Sequence, residues 1–416
     1  MAVILAYGSP ALGHLLPTGA LLAELARRGH DVHLRTMSAG VSTMRSVGVH
    51  AEPVDTDIEG IAGNDWQQRN ALGVLRSSID VLCRRAVLEV DDFRRAVAVI
   101  RPDAVIVDAN CWGALSAADA GNVPWLLFSP FTPYLRSRGV PPFGPGFRPL
   151  PGIAGDLRDA TVRPIVRHVF DRPMLPRINA IRAQLGVPTV ASVDAFMRRA
   201  PLVLAVGGEP FEYPHPGWSG VVHHIGACAF EPTAGPTPEW IDAIDRPMVL
   251  VNTSSLRQGD EALGRTALHA LADEDVHVVA TFPAGIPADL PRPENATVCR
   301  FVPHAAVLDK ASCAITHGGM GTTLKALDRG VPVCVVPFAR DQAEVARRVE
   351  VARCGTRLTA KRLTPARLRV KVRKAMTMVD GAHRVAAGFA ATGGVGRGAD
   401  LIEQRLLGCV AERPVH

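Results

Sequence analysis

The chain lacks any run approaching the roughly 20 uninterrupted apolar residues of a membrane-spanning helix, although 47% of its 416 residues are hydrophobic. Those residues are therefore expected to build cores, and the length suffices for two domains. Cysteine pairing is missing as well: the eight cysteines, among them Cys83, Cys111, Cys228, Cys299 and Cys409, form no C-x-x-C pair and no metal-ligand spacing. Several, such as Cys313, Cys334 and Cys354, stand in or beside apolar β-runs, the pattern of small buried hydrophobes in a reducing compartment. The N-terminal MAVILAYGSP has no basic leader and reads directly as a strand, so a cytoplasmic enzyme is expected. Net charge is +6 without a concentrated basic face. The densest basic run, Lys361 to Lys374, alternates with Leu363, Leu368 and Val370 like the wet side of an amphipathic helix, and no nucleic-acid-binding motif accompanies it. No internal sequence repeat is present.

What is there begins with a βαβ unit. Val3 to Ala6 is a β-run, Gly8 to His14 a loop, Pro17 to Arg28 a helix stopped by Gly29, and Asp31 to Thr36 a second strand. Such an opening implies a parallel sheet. A nicotinamide site would need G-x-G-x-x-G in the first turn and an acidic residue closing the second strand. The turn has only Gly8 and Gly13 and the strand ends in Arg35-Thr36, which excludes that reading. Asp55-Thr56-Asp57 imitates a metal-binding D-x-D but lies in an irregular loop, and no catalytic metal is expected. A long helical stretch covers Asn70 to Val99, and Pro102 to Ala109 contains a buried strand ending at Asp108. After the strand Trp125 to Ser129, residues 130–151 are rich in Pro, Gly and aromatics; long loops at that edge of a sheet usually line a site. With Trp66 and Trp112, the loop residues Phe131, Tyr134 and Phe143 are candidates for an apolar pocket.

The clearest linker is Gly226 to Pro238, after which the strand–helix–strand pattern restarts near Arg246. The expected units are residues 1–227, a linker over 228–245, and 246–416. In the second unit, the β-run Cys313 to Thr316 breaks at His317-Gly318-Gly319 and gives way to a helix starting near Thr322. A helix emerging from a Gly-rich loop presents unpaired N–H groups and its positive dipole end, a ready anion site. Phe301-Val302-Pro303-His304 lies upstream, and Gly330-Val331-Pro332, the β-run from Val333 and Asp341-Gln342 lie downstream.

In order and spacing the whole segment 300–358 resembles the donor-binding signature of the family 1 nucleotide-sugar glycosyltransferases, a group that includes plant secondary-product and bacterial antibiotic enzymes. The resemblance implies an α/β architecture of the GT-B type: two Rossmann-like parallel-sheet domains facing each other across a cleft, with a last helix that can cross back to the first domain. It implies that Phe301 stacks on the base and that the Val302 backbone reads its edge. His317, Gly319, Gly321 and Thr322 would hold the diphosphate with Ser255 nearby, and Asp341 and Gln342 would bind the sugar hydroxyls. Lys325 departs from the pattern, since the family commonly has a Glu there for the ribose hydroxyls and a cation cannot accept such a bond.

The same resemblance makes His14 the general base on an acceptor hydroxyl and Asp108 its orienting partner, a role an imidazole suits because it takes protons near neutral pH. Asp103 is the alternative carboxylate but precedes its strand. The implied function is inverting, metal-independent transfer of a hexose from a UDP- or dTDP-sugar, a co-substrate rather than a cofactor, to a bulky, partly apolar natural product. The acceptor side would comprise Trp66, Trp112, Phe131, Tyr134 and Phe143. The alternatives are a glycolipid or lipid-intermediate transferase at a membrane surface and a sugar-nucleotide epimerase or hydrolase of the same fold. A catalytically silent binding module would lack the base. Nothing in the sequence specifies an oligomeric state.

Overall fold

The computed structural model describes residues 1–63, 71–218, 220–231, 238–255 and 258–408. The first half runs β1 (Val3–Tyr7), α1 (Leu12–Arg27), β2 (Asp31–Thr36), α2 (Val41–Arg45), β3 (His50–Pro53), α3 (Thr56–Gly60), α4 (Ala71–Ile100), β4 (Ala104–Asp108), α5 (Trp112–Ala120), β5 (Trp125–Ser129), α6 (Gly152–Gln184), α7 (Val193–Met197), β6 (Val203–Ala205) and β7 (Val222–His224). The second runs α8 (Glu239–Asp242), β8 (Met248–Asn252), α9 (Glu261–Ala270), β9 (His277–Thr281), β10 (Ala296–Cys299), α10 (His304–Leu308), β11 (Ala311–Thr316), α11 (Met320–Asp328), β12 (Val333–Val335), α12 (Gln342–Val351), β13 (Gly355–Arg357), α13 (Pro365–Met376), α14 (Val379–Ala391) and α15 (Gly394–Ile402).

Both sheets are wholly parallel. The seven-stranded sheet has the order β3-β2-β1-β4-β5-β6-β7 and the six-stranded sheet β10-β9-β8-β11-β12-β13. Strands covered on both faces read as continuous apolar runs: β4, β5 and β8 are buried at every position. Burying each Val, Leu or Ile there contributes about 1.5–3 kcal/mol. In each sheet the winding reverses next to the first strand, between β1 and β4 and between β8 and β11, and the carboxyl ends of such strand pairs are where open α/β sheets bind ligands.

Two elements differ from the sequence expectation. Helix α1 starts at Leu12, so Gly13 and His14 lie in its first turn rather than in the preceding loop, and Pro17 sits inside the helix. As the sixth residue of the helix, Pro17 removes the bond its N–H would give the Gly13 carbonyl, a cost that the buried face of Leu21, Leu22 and Leu25 offsets. The 33-residue α6 occupies a region to which the pattern assigns no element; its three internal prolines, Pro164, Pro173 and Pro176, mask it. The Gly-rich tail turns at Gly393 and Gly394, both left-handed (φ 79° and 60°), and runs into α15, where Gly396 and Gly398 are helical. A Cβ on Gly398 would come 3.1 Å from Leu21 Cδ1, so its smallness lets α15 approach α1. Arg28 completes that contact, donating to Asp400, Glu403 and the Gly396 carbonyl at 2.8–2.9 Å. Among the described residues no helix is long and apolar enough to cross a membrane.

Candidate active site

The first switch point brings the end of β1 beside the end of β4, and with them His14 and Asp108. His14 Nδ1 stands 2.8 Å from Asp108 Oδ2 and 3.0 Å from Oδ1. The carboxylate is almost wholly buried while the imidazole keeps some exposure, 1% against 18%. Asp108 is fixed in turn by the Asn110 N–H, which donates to Oδ1 at 2.8 Å. An Nδ1–H directed at the carboxylate leaves the Nε2 lone pair for a substrate proton, the arrangement of an oriented general base. Asn110 Nδ2 lies 3.4 Å from Nε2, and Asn110 Oδ1 is buried without a hydrogen-bond partner. Behind the pair, Glu89 accepts from the Gly113 N–H at 2.9 Å. Burial, aided by the Asp108 charge and opposed by backbone donors and Arg85, pushes its carboxyl up to about 8. Asp103 instead takes the Val3 N–H at the opposite edge of the sheet.

The second switch point holds the phosphate-loop candidates. Helix α11 begins after Gly319 with no capping side chain, so the N–H groups of its first turn, at Gly321 and Thr322 among others, are left for a ligand. Thr316 Oγ1 accepts the Gly318 N–H, and Gly318 itself is left-handed at φ 94°. The His317 ring folds over Gly319 so closely that a Cβ there would lie 2.6 Å from Nε2, which explains the glycine. Burial pushes the His317 imidazole down and the neighbouring Asp260 carboxyl up, at an Nδ1–Oδ2 separation of 3.5 Å, so both are drawn toward their neutral forms. Thr322 is oriented by Asn252, whose Nδ2 donates to Oγ1 at 2.8 Å, and Ser255 is exposed just beyond β8. Phe301 is 59% exposed, a free ring face, whereas Val302 is buried.

At the head of α12 the two sugar-binding candidates part company. The surrounding protein pushes the Asp341 carboxyl up by desolvation, and His14 is among the charges it feels. Gln342 is buried and turned onto its own chain: Oε1 accepts the Phe338 and Ala339 N–H groups, and Nε2 donates to Gln258 at 2.8 Å. Its amide thus shapes the loop ahead of the helix. Lys325 also points inward, pairing with Glu231 at the start of the linker at 3.0 Å. Burial pushes its ammonium down against the pull of Glu231. Beside it, burial and the Lys325 charge bring His304 down to about 3.

The aromatic candidates also divide. Phe131 meets the His14 ring edge-on at 5.7 Å, and Tyr134 links Phe131 to Phe143, each at 5.1 Å. Tyr134 and Phe143 line a cavity of about 80 Å³ together with Phe170 of α6. Trp112, in contrast, corrects the sequence expectation: at 1% exposure it is a core residue packed where α5 crosses α4 and cannot line a cleft. Trp66 lies outside the described residues. Asp55 caps α3 by accepting the Asp57 N–H, which accounts for the D-x-D imitation. Among the described residues no cluster of three His, Cys, Asp or Glu side chains is placed to hold a metal ion. Sequence reasoning missed Asn110, whose signal was its place two residues beyond the strand-ending Asp108, and Glu231 and Glu344, which only tertiary contacts reveal.

Residues 265–393 match the family model described as "Erythromycin biosynthesis protein CIII-like, C-terminal domain". The chain is 29% identical over 389 residues to 4'-demethylrebeccamycin synthase of Lentzea aerocolonigenes, covering 89% of this chain and 91% of that protein. It is 27% identical over 426 residues to demethyllactenocin mycarosyltransferase of Streptomyces fradiae, covering 97% and 86%. Its structure is similar to that of the kitacinnamycin glycosyltransferase, with a TM-score of 0.74, 24% identity and coverage of 97% and 98%. Residues 265–393 are thus similar to an EryCIII-like C-terminal domain, the two parallel sheets have the GT-B fold, and the relatives named above are natural-product glycosyltransferases.

Proposed function

We propose that this protein transfers a hexose from a nucleoside-diphosphate sugar to a hydroxyl of a bulky, partly apolar natural product, in one inverting and metal-independent displacement. The observation that carries the reading is the His14–Asp108 pair at the first switch point, with Phe131 against the imidazole. In this mechanism His14 Nε2 removes the acceptor proton as the oxygen attacks the anomeric carbon, and Asp108 stabilises the imidazolium that forms. The C–O bond to the diphosphate breaks on the opposite face, giving inversion. Negative charge on the departing diphosphate is met by the N–H groups opening α11 and by His317, fixed donors that need no reorganisation during the reaction. Phe301 offers its exposed ring to the base, and Asp341 faces the sugar.

The names of the two relatives support a sugar donor and a small-molecule acceptor. The decisive experiment is turnover of a panel of UDP- and dTDP-hexoses with polyketide, indolocarbazole and macrolide acceptors, run with and without EDTA, the product's anomeric configuration being read by NMR. His14→Ala should abolish transfer and leave nucleoside-diphosphate binding nearly intact. Unchanged turnover in that variant, a retained configuration, or loss of activity in EDTA would each overturn the corresponding part of the reading.

A further inference from the structure

The loop 130–151 belongs to the first half of the chain, yet it is held by a helix of the second. Glu344, in the first turn of α12, accepts the Gly144 and Gly146 N–H groups on Oε1, both at 2.8 Å. Its Oε2 takes Arg348 Nη1 at 2.7 Å, and Arg348 Nε donates to Glu212 Oε1 at 2.8 Å. Glu212 closes the circuit to the same loop, since its Oε2 accepts the Thr132 hydroxyl at 2.8 Å. Arg347 adds a bond to the Gly146 carbonyl at 2.9 Å. Gly146 fits only as glycine: its φ is 65°, and a Cβ would lie 2.5 Å from the Ala343 carbonyl oxygen.

Glu212, Glu344 and Arg348 are all at least 96% buried, at 2%, 3% and 2% exposure. Such a network is weak evidence for stability, because desolvating the charges offsets much of their attraction. What it does supply is geometry. Burial alone would push Glu212 up, but Arg348 and His215 outweigh it and hold the carboxyl below the usual range. Two carboxylates share one guanidinium here, and the surplus negative charge on Glu344 is answered by two loop N–H groups. The loop is therefore part of the charge balance of α12. Glu344 lies three residues after Asp341, and both Glu344 and Arg348 line the cavity that Tyr134 and Phe143 face.

We propose that Glu344 is a positioning residue that makes the acceptor loop ride on the donor-sugar helix, so that acceptor affinity depends on how α12 is set by the bound donor. This deepens the transferase reading and rests on it. A donor sugar engaging Asp341 fixes the first turn of α12, Glu344 carries that setting to Gly144 and Gly146, and the loop then presents Phe143 and Tyr134 to the acceptor. The polar clamp and the aromatic lining are thus one device built from both halves of the chain.

Two variants of the full chain test it. Glu344→Gln loses the charged hydrogen bonds to the loop while leaving Arg348 and Glu212 as a balanced one-to-one pair, so the fold should persist. Gly146→Ala displaces the loop sterically with every charge retained. Both should raise the acceptor KM about tenfold or more, the equivalent of one charged hydrogen bond. In both, kcat and nucleoside-diphosphate affinity should stay close to the parent, while Tm falls, since Gly146→Ala forces a Cβ onto the Ala343 carbonyl at positive φ and Glu344→Gln gives up charged hydrogen bonds. A fixed donor should tighten acceptor binding in the parent and no longer do so in either variant. An unchanged acceptor KM, or parallel loss of donor and acceptor binding, would overturn the proposal. A turnover-independent readout keeps it separate from the transferase reading: both variants should be cut faster by trypsin after the exposed Arg138, and equal cutting rates would count against the clamp even if no acceptor were ever found.

Discussion

His14 and Asp108, 94 residues apart in the chain, meet at 2.8 Å because β1 and β4 are neighbours across the switch point of the first sheet. The carboxylate oxygen reaches Nδ1 rather than Nε2, and that choice sets which nitrogen is left to face a substrate. Exchanging Asp108 for Asn keeps the shape but presents an amide that can hold the ring in either tautomer. Asp108→Asn is expected to lower kcat by roughly 10²- to 10⁴-fold, the span of a general base's contribution, with diphosphate binding unchanged. Steady-state kinetics beside calorimetric titration of UDP and dTDP will check this; a loss of less than tenfold would detach Asp108 from the chemistry.

Asn110 stands 3.4 Å from the other imidazole nitrogen. A carboxylate in its place would favour the protonated ring, since an opposite charge a few ångströms away stabilises the ionised form. Asn110→Asp should therefore depress activity at neutral pH and recover it as pH rises, moving the ascending limb of the kcat/KM profile to higher pH. A profile that falls in height without moving would show that Asn110 serves only to hold Asp108.

Glu89 makes a pH prediction with a definite sign. Burial pushes its carboxyl up to about 8 in the fold, whereas in the unfolded chain it ionises near the ordinary glutamate value of about 4.3. Between those values the folded state holds a proton that the unfolded state has shed, so this group's contribution to stability falls as pH rises from about 4.3 to about 8 and levels off above. Glu89→Gln cannot ionise and can still accept the Gly113 N–H through its carbonyl. Its Tm relative to the parent should climb steadily from pH 5 to pH 8, and a pH-independent difference would contradict the assignment.

Lys325 and Glu231 form a pair at 3.0 Å with side chains 11% and 21% exposed. Lys325→Glu sets two carboxylates against each other in that confined space and should cost about 3 kcal/mol or more, as breaking a buried pair does. The charge-swapped Lys325→Glu/Glu231→Lys double variant should regain most of the loss. Thermal denaturation of the two single variants and the double variant measures the coupling; strictly additive effects would mean the pair contributes nothing specific.

Much of this molecule was legible from its residues in order. The strands β4, β5 and β8 follow from short apolar runs and β2 from apolar residues alternating with polar ones, and the Gly-rich break after Thr316 marks the start of α11. Those signals are local: a strand's burial and a helix's unpaired N–H groups depend on a few consecutive residues. Position at the end of a strand was enough to choose Asp108 over Asp103, because parallel strands bring their carboxyl ends to one edge. Helix α6 was not legible, since its prolines speak against a helix that packing nonetheless imposes.

Tertiary structure alone decided the rest. Trp112 and Phe131 look alike as aromatics near strand ends, yet one is sealed under α4 and the other lies against His14. Gln342 turns to its own loop and Lys325 to the linker because the partners that satisfy them, Gln258 and Glu231, are 84 and 94 residues away. The Glu212–Arg348–Glu344 circuit joins both halves of the chain, and no local pattern signals it. A buried charge takes the partner that the fold brings to it, and sequence spacing says nothing about which partner that will be.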